Sequence, residues 1–128
     1  MTFSYTVKTE KKIDVAIQDL SSNLKEIGFG ILGTLDFKDI FQKKGIEYDN
    51  EYKLLEVCNP QVAKQALDSD PDVGLLLPCT ISVYTKDGHN YIGLAKPSAL
   101  LSLSLKSDLL EMGKEIENKL IQTIDKSK

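Results

Sequence analysis

Cysteine thiols and a neighbouring carboxylate are the side chains whose type and spacing suggest chemistry. Glu56 and Cys58 stand two apart in LLEVCNP, residues 54–60, and Cys79 follows in LLLPCTISVY, residues 75–84. On a strand, residues two apart point to the same face. Cys58 also directly precedes Asn59-Pro60, a helix-start pattern, so its thiol is expected near unsatisfied N–H groups and the positive end of a helix, which favours the thiolate. If the two strands are neighbours, both thiols and the carboxylate can converge. Glu56, Cys58 and Cys79 could then hold a zinc-like ion through three ligands, leaving a fourth position open. Alternatively, Cys58 could act as a low-pKa thiol with Cys79 as its partner, in a reversible disulfide or as a nucleophile.

An apolar reading stands beside these. Free cysteine is among the most buried residue types and packs as a small hydrophobe. Cys79 shares a face with Ile81 and Val83, a core-like set, whereas Glu56 is polar. Alternation therefore predicts the cysteines on opposite faces of the sheet, unless Pro78 bends the second strand.

Other signatures point away from catalysis, and no catalytic residue is assigned. The one histidine, His89, falls in a turn, where exposure is the ordinary outcome. GFGILG, residues 28–33, leads into a strand pattern and not into the helix a nucleotide loop requires. Asp68, Asp70 and Asp72 alternate around Pro71, but the glycine and distal glutamate of a calcium loop are missing from register. Tyr84 and Tyr91 flank the same turn as His89 and can pair across it.

These residues need elements to position them. Phe3, Tyr5 and Val7 alternate with Ser4, Thr6 and Lys8, the period-2 signature of a half-buried strand. Ile13, Ala16, Ile17, Leu20, Leu24 and Ile27 form an amphipathic helix, with Thr9 as N-cap and Gly28 as stop. Residues 30–35 read as a strand interrupted at Gly33. Asp36 caps a short helix carrying Phe37, Ile40 and Phe41 and ended by Gly45. Residues 52–58 form a strand, and Asn59-Pro60 opens a helix closed by Asp70-Pro71. Residues 79–85 and 91–94 pair as a hairpin around Lys86-Asp87-Gly88-His89. A final helix carries Leu109, Gly113, Ile116, Leu120 and Ile124, and residues 125–128 read as a frayed tail. The order βαβ(α)βαββα predicts an α+β domain: a mixed or antiparallel sheet with helices on one face.

At 128 residues the chain is the size of one domain, here taken as 1–128, and needs no disulfide to fold. Its net charge is −3 and it has no basic run, which disfavours nucleic-acid binding. It lacks an apolar stretch of membrane-spanning length and a signal-peptide pattern, so the expectation is a cytoplasmic protein with reduced thiols and no membrane partner. A sheet covered on one face leaves the other to be hidden, which predicts a homodimer.

Taken together, Cys58-Asn59-Pro60, Ala66-Leu67, Leu77-Pro78-Cys79 and Lys96-Pro97 resemble the core signature of the family called domain of unknown function 302. The resemblance is strongest over residues 54–97. It implies a compact α+β domain, often dimeric, in bacterial or archaeal cytoplasm, and it implies no activity. The sequence thus supports a dimeric binding or sensing domain with a metal or small ligand near Glu56, Cys58 and Cys79. A thiol-dependent enzyme or redox protein and a plain interaction module are the alternatives.

Overall fold

The computed structural model describes residues 2–77 and 79–128. Its elements run β1 (Ser4–Thr9), α1 (Ile13–Glu26), β2 (Gly30–Asp36), α2 (Phe37–Lys43), β3 (Tyr52–Cys58), α3 (Pro60–Ser69), β4 (Cys79–Lys86), β5 (His89–Ala95), α4 (Pro97–Leu101) and α5 (Ser107–Ser127). Short 3-10 turns, Pro71–Leu76 and Ser102–Ser104, follow α3 and α4. The strands form one antiparallel sheet in the order β1-β5-β4-β3-β2. The α+β class expected from the element order is the observed one, and the mixed-sheet option drops out.

Local chemistry accounts for the hinges of this topology. Asp87 and Gly88 both take positive φ, 52° and 79°, as a two-residue hairpin turn demands, and so Lys86 pairs with His89. The register of β2 shifts between Ile31 and Gly33, a bulge at the predicted interruption. Asn59 caps α3 by accepting from the Gln61 and Val62 amides, with Pro60 in the first turn.

The core lies on one side of the sheet. Leu55, Val57, Ile81, Val83, Ile92 and Leu94 are fully buried or nearly so against α1 and α5, which contribute Ala16, Leu20, Leu24, Leu120 and Ile124. A smaller cluster of Ala66, Val73, Leu101 and Leu109 joins α3, α4 and the start of α5. The sequence neighbours of the buried strand residues (Leu54, Glu56, Ser82, Tyr84, Tyr91 and Gly93) point to the opposite face.

Two expectations at helix ends need correction. Thr9 does not cap α1; the cap position is Lys12, and the Thr9 hydroxyl accepts from the Lys11 amide ahead of the helix. The C-terminus does not fray at residue 125, because α5 runs to Ser127, which is buried. The Ser127 hydroxyl donates to the Thr123 carbonyl, and Lys11 Nζ donates to the Ser127 carbonyl at 2.8 Å. Such a carbonyl at a helix C-terminus is an orphan acceptor, and a lysine is a favourable partner for it.

Candidate functional site

The antiparallel pairing of β3 with β4 places Cys79 opposite Val57, so Cys58 is its diagonal neighbour. Both cysteines line a single narrow cavity of about 30 Å³ at this end of the sheet, between the main core and the α3–α4 cluster. Its walls include Phe29, Val62, Leu77, Leu101, Met112 and Ile116. A space of that size has room for a water or two, but an apolar lining offers such water few partners.

Cys58 and Cys79 thus line one cavity, and the bend expected at Pro78 lies outside the described residues. Cys79 keeps to the core face beside Ile81. Cys58 is the last residue of β3, where the chain leaves the ladder for α3, so strict alternation no longer governs it. Glu56, two residues earlier, remains within the ladder opposite Thr80 and Gly33 and is absent from the cavity wall. Among the described residues no group of three His, Cys, Asp or Glu side chains is placed to hold a metal ion. The structure thus brings Cys58 and Cys79 together but does not gather Glu56 with them.

Electrostatics at the thiols run against the expected activation. Burial raises the Cys58 pKa, and burial together with the nearby Cys58 pushes Cys79 up to about 11. The start of α3 does not offset this, because its leading amides are taken by the Asn59 side chain. Both cysteines are free thiols, and the ordinary state of each at neutral pH is protonated.

The opposite face of the sheet has a different character. Stacked rings of Tyr52, Tyr84 and Tyr91 cross three strands, with centroids 5.3 and 5.5 Å apart. Phe37 continues the row edge-on to Tyr52 at 5.7 Å, and Phe41 and Tyr48 extend it beyond the sheet. Beside this row a shallow concavity of about 460 Å³ is lined by Phe3, Thr6, Leu54, Thr80, Ser82 and Gly93, among others. Gly93 keeps its floor low, since a Cβ there would come within 2.7 Å of Ser82 Oγ. Sequence alone pairs Tyr84 with Tyr91 across the turn and does not disclose the rest of the row. Its signal is one tyrosine near the hairpin end of each of β3, β4 and β5, which acquires meaning only once β3 is known to flank β4.

The family described as "Domain of unknown function DUF302" matches residues 5–127. The chain belongs to the DUF302 family. A crystal structure of an uncharacterised conserved DUF302 protein from Bacillus stearothermophilus is similar to this domain, with a TM-score of 0.95 and 34% identity over 100% of both chains. No curated protein matches this DUF302 chain. The comparisons fix family and fold and assign no activity, so function has to be argued from the two sites above. No helix of the described residues is long and apolar enough to cross a membrane.

Proposed function

We propose that this DUF302 domain is a non-enzymatic binding module that works as a cytoplasmic homodimer, with the open sheet face as the surface that receives the second copy. The supporting observation is the composition of that face. It carries the Tyr52–Tyr84–Tyr91 row, Leu54 and hydroxyl side chains, with few charges. Aromatic enrichment and charge depletion are what distinguish the centre of a protein interface from ordinary surface. The few charges also suit self-pairing. Lys8 and Lys86 lie at the hairpin end of the strands and Glu56 towards the other end. A two-fold axis across the strands sets the lysine end of one copy against the Glu56 end of its partner.

The thiol-enzyme reading draws no support from the cavity, where burial favours protonated, slow thiols. Light scattering tests the dimer reading. The expected mass is twice that of the 14.2 kDa chain, falling to one chain in Tyr84→Lys with helical content unchanged. A wild-type chain that stays monomeric at several hundred micromolar would contradict it.

A further inference from the structure

Both cysteines of the chain and its only methionine beyond the first residue converge on one cavity. Met112 comes from α5, far from the cysteines in sequence, and packs against both the main core and the α3–α4 cluster. That places it at the junction where the cavity lies. Cys79 packs against the same main core, and Cys58 and Cys79 are close enough to influence each other's ionisation. Among the described residues the wall has no imidazole and no carboxylate side chain; its side chains are sulfur and hydrocarbon apart from Asn59, whose side-chain oxygen is already engaged by the α3 amides.

We propose that Cys58, Cys79 and Met112 form a site for one soft monovalent cation of the Cu(I) type. Thiolate and thioether donors select Cu(I), whereas zinc favours four ligands drawn from thiolate, imidazole and carboxylate. A cavity of about 30 Å³ suits a single bare ion better than a hydrated one or an organic ligand. Both cysteines are only half-buried, so the site is not sealed from solvent. On binding, two S–H bonds break and two Cu–S bonds form, and the two protons leave to solvent. Met112 adds through a sulfur lone pair, and no oxidation state changes. This inference is independent of the dimer reading, because the cavity lies on the helix-covered side of the sheet.

Anaerobic titration of the reduced, full-length protein with Cu(I) held by a chromogenic chelator tests the site. The expected result is transfer of one Cu(I) per chain, release of two protons per ion and thiolate-to-metal absorption in the near ultraviolet. Met112→Leu, which preserves apolar volume, should weaken binding by about tenfold or more, and Cys58→Ser by at least as much. Glu56→Gln should leave it unchanged. Zn(II) should fail to displace bound Cu(I). Failure of the folded wild type to take Cu(I) from the chelator would overturn the proposal. So would equal affinity in Met112→Leu and Cys58→Ser, or displacement by zinc; in each case the sulfurs serve only as apolar packing.

Discussion

The two faces of the sheet are built from the same strands, residue by residue in alternation, yet they do different work. Under the helices, Leu55, Val57, Ile81, Val83, Ile92 and Leu94 are at most 1% exposed and interlock with α1 and α5. One step along each strand, the opposite face presents Leu54, Ser82, Tyr84 and Tyr91 beside a concavity left open among the described residues. The covered face holds the fold together. The open face is where apolar area and hydroxyls remain available to a partner, and this division is what the following experiments can break or sharpen.

The largest effect belongs to the covered face. Ile81→Ala removes a fully buried side chain from the middle of the sheet and should cost about 2–5 kcal/mol of unfolding free energy. Urea denaturation checks it; a loss below about 1 kcal/mol would mean that the covered face is not the close-packed layer described.

Alkaline pH should act on the same side. The folded state holds the Cys79 proton more tightly than the unfolded chain does, because burial pushes its pKa up to about 11, whereas a free thiol titrates at about 8.5. The unfolded state therefore binds fewer protons as pH rises through that window, and stability falls with pH. Over the full shift the loss attributable to Cys79 is about 3 kcal/mol, with no contribution at neutral pH. Comparing the stability of wild type and Cys79→Ala between pH 8 and 11 isolates it, and parallel curves would refute the assignment.

The cap of α3, beside the thiol cavity, comes next. Asn59→Ala leaves the Gln61 and Val62 amides without their acceptor and should cost about 1 kcal/mol by denaturant titration. It should also free those amides to interact with Cys58, so thiol titration of this variant should show a lower Cys58 pKa than wild type. An unchanged pKa would mean that the cap is not what isolates the thiol from the helix end. The smallest effect is on the open face. Ser82→Ala should change the stability of the folded chain by no more than about 0.5 kcal/mol, measured in dilute solution where light scattering gives the mass of one chain.

Much of this division was legible in the sequence because strand alternation and helix periodicity are local signals. Asp87-Gly88 dictated the hairpin, Asn59-Pro60 the start of α3, and Gly33 the irregularity in β2. Thr9 misled because a capping residue type three positions upstream resembles a cap, while Lys12 carries no such signal. The tail at residues 125–128 looked frayed because its polar composition hides the long-range bond from Lys11. The 3-10 turns and α4 escaped notice because segments that short have no period to read.

The candidate site was legible only in part, for a related reason. Whether Cys58 and Cys79 meet depends on which strands are neighbours and in what register, and neither is encoded locally. Alternation taken alone put the two thiols on opposite faces, and the end of β3 is where that rule lapses. Glu56 drew attention by its spacing, yet the ladder holds it away from the cavity. Met112 carried no signal at all in the sequence, since a methionine on the apolar stripe of a helix is ordinary core. Likewise the tyrosine row exists only because β3, β4 and β5 lie side by side.

Cross-linking tests the role of the open face most directly. With Cys58 and Cys79 replaced by alanine, a new cysteine is placed either at Ser82, central on the open face, or at Glu115, exposed on α5. Mild oxidation should yield disulfide-linked dimers from Ser82→Cys and none from Glu115→Cys at the same concentration. Equal or greater cross-linking at Glu115, with Ser82→Cys remaining a free thiol, would contradict the assignment of the open face as the meeting surface of two copies.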